Sequence, residues 1–134
     1  MNILILGNTY LSAELKERCT VITAGCGDGH DISLRRAFCD FERDILKKLP
    51  SSFTPDVVLF FEGPGQVFPQ GLEKTRIPLA WHAMDTHVNL LWHKEYVSLF
   101  DYVFVSQKDH MPSLADNTSA HVCFCPLTCD PAVN

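Results

Sequence analysis

The chain has 134 residues, room for one domain of ordinary size. Its 11 Lys+Arg against 16 Asp+Glu leave a net charge of −5, with no Lys/Arg run, which argues against a nucleic-acid partner, since phosphate affinity comes from clustered cations. A 46% hydrophobic share excludes a disordered chain, and no apolar run approaches the roughly 20 residues of a bilayer span, so the expectation is a globular, cytoplasmic protein with no membrane span and no signal peptide.

Ile3-Leu4-Ile5-Leu6, closed by Gly7, is a continuous apolar run of the kind buried on both faces of a parallel sheet. A weaker helical pattern from Leu11 to Glu17 leads into a β-rich run from Cys19 to Ala24, and Gly25-Cys26-Gly27-Asp28-Gly29 reads as a flexible loop. Leu34, Phe38, Phe41, Ile45 and Leu49 recur at steps of 4, 3, 4 and 4, which predicts a helix with one apolar stripe, capped by Asp31 or Ser33. Asp56 to Phe61 is a strong strand ending at Glu62-Gly63-Pro64-Gly65, after which the residues to Lys74 are too rich in Gly and Pro to assign. Ile77 to His82 is a fourth strand, entered through Pro78. Val88, Leu91, Trp92, Tyr96 and Leu99 form a second helical stripe, with Asp85 or Thr86 as cap. Asp101 to Val105 is a fifth strand, His110 to Ala115 a short helix, and His121 to Cys125 a sixth strand stopped by Pro126.

Strands alternating with helices imply right-handed βαβ units. The expected fold is α/β: a three-layer Rossmann-like domain over residues 1–134, with a mostly parallel sheet of about six strands. A covering helix is expected after the last strand and none is legible there, which suggests a domain cut from something longer. The six cysteines read as reduced thiols, because a core of this size needs no disulfide staples.

In open α/β sheets ligands bind outside the carboxyl ends of the strands, where loops part and helix N-termini point in. That rule selects Gly7, Asn8, Thr9, Glu62, Gly63 and Gln107 as substrate-binding candidates. Trp81-His82-Ala83-Met84-Asp85-Thr86-His87 leaves a strand and enters a helix, making His82 and Asp85 the catalytic candidates for orienting or deprotonating a hydroxyl. Each has a plainer alternative: His82 as a packed strand residue, Asp85 as a helix cap only, Glu62 as a carboxylate held by backbone N–H groups. No G-x-G-x-x-G follows the first strand, so a dinucleotide cofactor is not expected, and no other cofactor is implied. His121, Cys123, Cys125 and Cys129 make a His-x-Cys-x-Cys-x3-Cys series, but the C-x2-C knuckles of zinc sites are missing, and no metal is expected.

From Asp56 to Pro131 the chain resembles the N-terminal domain of bacterial glycosyltransferases of the GT-B architecture, in the group related to spore-maturation proteins. The segments that carry the resemblance are Pro55-Asp56-Val57-Val58-Leu59, Ile77-Pro78-Leu79-Ala80-Trp81-His82-Ala83-Met84-Asp85, Phe100-Asp101-Tyr102-Val103-Phe104-Val105-Ser106-Gln107 and Cys125-Pro126-Leu127-Thr128-Cys129-Asp130-Pro131. The resemblance implies the acceptor-side half of a two-domain, metal-independent enzyme that transfers a sugar from a nucleotide-sugar donor, the donor being held by a C-terminal domain that this chain lacks. The expected partners are therefore an acceptor substrate and, through that second domain, a nucleotide-sugar, and the isolated chain is expected to be inactive. Thr86 stands where the family often carries a second acidic residue. The rival reading is a non-catalytic Rossmann-like module that binds a ligand or a protein. A phosphoreceiver reading fails because Leu6-Gly7-Asn8-Thr9 has no acidic residue to hold a magnesium ion.

Overall fold

All six expected strands form in the computed structural model, which describes residues 1–7, 13–63 and 65–126. The chain runs β1 (Asn2–Gly7), α1 (Ala13–Arg18), β2 (Thr20–Cys26), β3 (Ile32–Leu34), β4 (Phe38–Asp40), a π-helical turn (Phe41–Ile45) continued by a 3-10 turn (Leu46–Lys48), β5 (Val57–Phe61), β6 (Phe68–Gln70), a 3-10 turn (Leu72–Lys74), β7 (Leu79–Ala83), α2 (Thr86–Tyr96) with a closing 3-10 turn (Val97–Leu99), β8 (Tyr102–Val105), a 3-10 turn (Lys108–His110) leading into α3 (Met111–Ala115), and β9 (His121–Phe124). Seven strands make one sheet in the order β3-β2-β1-β5-β7-β8-β9, and every pair in it is parallel. The fold is therefore α/β with a parallel sheet, as expected, with one strand more than the sequence suggested. No helix among the described residues is long and apolar enough to cross a membrane.

The helix expected from Leu34 to Leu49 does not form. Ile32–Leu34 instead joins the sheet beside β2, with Ala24 opposite Ile32 and Cys26 opposite Leu34. Asp31, expected as a helix cap, stitches that junction: its Oδ2 accepts from the Thr23 N–H at 2.8 Å and the Thr23 hydroxyl at 2.9 Å. Phe38–Asp40 pairs with Phe68–Gln70 in a small parallel sheet, where Phe38 stacks on Phe68 at 5.3 Å. The expected stripe is still largely buried at Leu34, Phe41 and Ile45, but Phe38 is 64% exposed. Distant pairing partners satisfied the backbone in place of a local helical ladder, and the apolar spacing tolerated both solutions.

The core lies on the sheet face under α2. Registered neighbours on parallel strands share a face, and Leu4, Leu6, Val58, Phe60, Leu79, Trp81, Ala83, Val103 and Val105 are all buried there. Trp81 is its centre, fully buried, with its ring 4.7 Å from His93, 5.4 Å from both Tyr96 and Phe100, and 5.9 Å from Trp92. Such rings bury roughly 150–250 Å² each, so this cluster supplies a large share of the apolar contact between α2 and the sheet. The opposite face is buried at Ile3 and Ile5 and opens toward the β9 edge, where Tyr102 on β8 is 45% exposed.

Two aspartates at strand starts hold the register. Asp56 Oδ2 accepts from the Asn2 N–H at 2.7 Å, and Asp101 Oδ2 accepts from the Leu79 N–H at 2.8 Å. Each carboxylate satisfies an end-of-ladder donor on the neighbouring strand. This gives Pro55-Asp56 and Phe100-Asp101 a structural reason to carry an acid at that place.

Candidate functional site

Strand order reverses between β1 and β5, since β2 and β3 lie to one side and β7, β8 and β9 to the other. The loops that part at this switch begin at Gly7 and at Glu62-Gly63. Gly7 has φ +94, and a Cβ there would lie 2.8 Å from the Phe61 carbonyl oxygen, so two strand ends close on a position only glycine fits. Gly63 has φ +130, another backbone shape that side chains resist. Asn8 and Thr9 lie outside the described residues.

Glu62 is 2% exposed and both its oxygens are occupied. Oε2 accepts from the backbone N–H groups of Met84 at 2.7 Å and Asp85 at 3.2 Å. Oε1 accepts from Asn89 Nδ2 at 2.9 Å and faces His93 Nε2 at 3.0 Å. A carboxylate oxygen only accepts, so His93 Nε2 carries a hydrogen toward it, and the other ring nitrogen, Nδ1, lies 3.2 Å from the Thr86 hydroxyl. Burial by itself pushes the Glu62 carboxyl up, but the bonds from His93, the Asp85 N–H and Asn89 outweigh it and leave the group below its usual value. Hydroxyl, imidazole and carboxylate here have the connectivity of a nucleophilic triad. Thr86 and His93 are fully buried, however, so no substrate reaches that hydroxyl, and the chain serves to anchor α2 to β5. The backbone donors to Glu62 come from the β7–α2 turn rather than from its own loop.

Gln107, at the end of β8, completes the anchor. Its Oε1 accepts from the Thr86 N–H at 3.2 Å and its Nε2 donates to the Met84 carbonyl. Asp85 occupies the N-cap position of α2, but its side chain makes no capping bond. The start of α2 is satisfied by Glu62 and Gln107 from neighbouring strands, which leaves the exposed Asp85 carboxylate uncommitted. His82 lies on the sheet face away from α2, with its ring 5.6 Å from Phe61. Its Nε2 sits 3.0 Å from Ser106 Oγ and 3.4 Å from the Cys125 carbonyl. Burial lowers its pKa more than the Cys125 carbonyl and Glu62 raise it, so the imidazole is held below its ordinary range. No hydrogen bond joins His82 to Asp85 among the described residues.

Sequence reasoning missed His93, Asn89 and Ser106. The first two had a signal: Thr86, Asn89 and His93 fall at helical steps of 3 and 4, a polar stripe that a buried Glu62 requires. Ser106 had none, because its pairing with His82 depends on β7 lying beside β8. Of the His-Cys series, His121 and Cys123 stand exposed on β9 and Cys129 lies outside the described residues. The described residues gather no group of three His, Cys, Asp or Glu around a metal-sized space, and the five described cysteines form no disulfide. Neither a family model nor a curated protein nor a solved structure matches the chain.

Proposed function

We propose that this chain is the acceptor-side half of a nucleotide-sugar-dependent glycosyltransferase of the GT-B kind. One observation carries the reading: the β7–α2 turn, the core of the resemblance, opens at the carboxyl edge of a parallel sheet with Asp85 exposed and uncommitted, directly after the strand that holds His82. An acceptor hydroxyl held there would attack the anomeric carbon of a sugar nucleotide. The bond from that carbon to the diphosphate oxygen breaks, the nucleoside diphosphate leaves with the electron pair, and the hydroxyl proton passes to Asp85 or His82. Glu62 and Gln107 act as positioning residues, because they fix the turn that presents Asp85. The donor would sit on a second α/β domain.

The test is release of nucleoside diphosphate by the full-length protein carrying this chain, offered a panel of UDP-, GDP- and TDP-sugars with hydroxylated acceptors. Donor-specific release that falls at least tenfold in Asp85→Asn or His82→Ala, with the melting curve retained, is the expected result. Release unaffected by both substitutions, or none with any donor, refutes the reading. A ligand- or protein-binding module is the second reading, and the burial of the Glu62–His93–Thr86 chain favours it, since that chain removes three polar groups from chemistry.

A further inference from the structure

Where the expected helix gives way to strands and turns, the backbone wraps a cavity of about 570 Å³, within the range of small-molecule sites. Ser33, Leu34, Arg35 and Arg36 line it from the end of β3, Cys39 from β4, Arg43 and Asp44 from the π-helical turn, and Lys48 from the 3-10 turn. Four of the chain's 11 cationic side chains therefore face one space, in a protein whose net charge is −5. Only one is neutralised: Arg43 grips Asp44 through Nε at 3.0 Å and a terminal nitrogen at 2.9 Å. Asp44 also accepts from the Asp40 N–H at 2.9 Å, which pins the pair to the wall. Arg35, Arg36 and Lys48 have no hydrogen-bond or ion-pair partner among the described residues and are exposed. The cavity opens at the carboxyl edge of β3, two strands, or roughly 10 Å, from the switch between β1 and β5.

We propose that this cavity binds a phosphate-bearing small molecule. Two adjacent guanidiniums offer planar donor forks, which match phosphate oxygens, and Lys48 adds a point charge. The buried Cys39 thiol does not repel an anion, because burial first, then Asp44, pushes it up to about 11 and keeps it protonated. The π-helical turn supports the same conclusion, since such turns are rare and cluster at functional sites. The inference goes beyond the sugar-transfer reading and holds whichever function is right.

The test is a titration of the isotope-labelled chain with inorganic pyrophosphate at about 0.02 M ionic strength, followed by NMR at the arginine side chains and backbone amides. Saturable shifts at Arg35, Arg36, Cys39 and Lys48, with a Kd of about 1 mM or tighter, are expected. The double variant Arg35→Gln/Arg36→Gln should weaken binding at least tenfold, and Lys47→Gln, outside this cavity, should leave it unchanged. Parallel titrations with glucose 1-phosphate and UDP distinguish a sugar phosphate from a nucleotide as the source of the group, and binding of either supports the site. Unsaturable shifts spread over all surface cations, equal affinity for succinate, or full affinity in the double variant would overturn it. Melting curves establish that the double variant folds, and Lys48→Gln carries the same test if it does not.

Discussion

Replacing Glu62 by alanine removes the acceptor for four donors at once: the N–H groups of Met84 and Asp85, the Asn89 amide and the His93 ring. Breaking a buried pair in this way costs about 3–5 kcal/mol, because the partner stays buried without compensation. Glu62→Gln keeps the shape. Its carbonyl still accepts from the two backbone groups, the Asn89 amide rotates to present its oxygen, and His93 adopts the tautomer that accepts at Nε2, so the cost falls to about 1–2 kcal/mol. Urea unfolding followed by circular dichroism at 15 °C measures both variants against a domain stability of roughly 5–15 kcal/mol. Near the melting midpoint the alanine variant should lose on the order of 10–20 °C, and the glutamine variant a third of that. An alanine variant within about 1 kcal/mol of the parent, or more stable than it, refutes the anchoring role. That result would mark Glu62 as a carboxylate held at a cost for chemistry.

Acid should destabilise the protein in two steps. His82 has a folded pKa below its free value of 6.5, so the stability it contributes is complete above that pH and falls as the solution is acidified through the folded pKa. Glu62, also lowered, contributes fully above 4.5 and loses its contribution as pH falls through its own folded pKa. Melting temperature against pH reads both steps, and His82→Gln should flatten the upper one while leaving the lower. Gly7→Ala should cost about 1–3 kcal/mol in urea unfolding, since it combines positive φ with a contact at 2.8 Å to the Phe61 carbonyl, and a neutral result would contradict that crowding. Leu91→Lys should stay within about 0.5 kcal/mol, because Leu91 is 88% exposed, and a larger loss would mean that this face of α2 is covered.

The helix carrying Leu91 shows how far periodicity reads. Val88, Leu91, Trp92, Tyr96 and Leu99 place α2 correctly in the chain, yet Val88 is 70% exposed and Leu99 37%. The buried face centres on His93, with Thr86 and Val97 beside it, rotated by roughly a third of a turn from the apolar stripe. Rolling the helix that way keeps the rings of Trp92 and Tyr96 against Trp81 and delivers Asn89 and His93 to Glu62. A carboxylate already buried at the end of β5 made the polar stripe the inward one, because an unpaired charge there costs more than two exposed aliphatic side chains.

The apolar runs at Ile3, Val57, Leu79 and Val103 were enough, read alone, to dictate parallel strands and a common carboxyl edge, because a run buried on both faces has few other places to go. The loops after β5, β7 and β8 and the placement of His82 and Asp85 follow from that. Contact between distant segments decided the rest: Ile32–Leu34 against β2, Phe38–Asp40 against Phe68–Gln70, Ser106 beside His82, and Glu62 against the β7–α2 turn. A hydrogen bond across 22 or 31 residues is not named by either segment alone, so a side chain's partner emerges only when the sheet brings the two together.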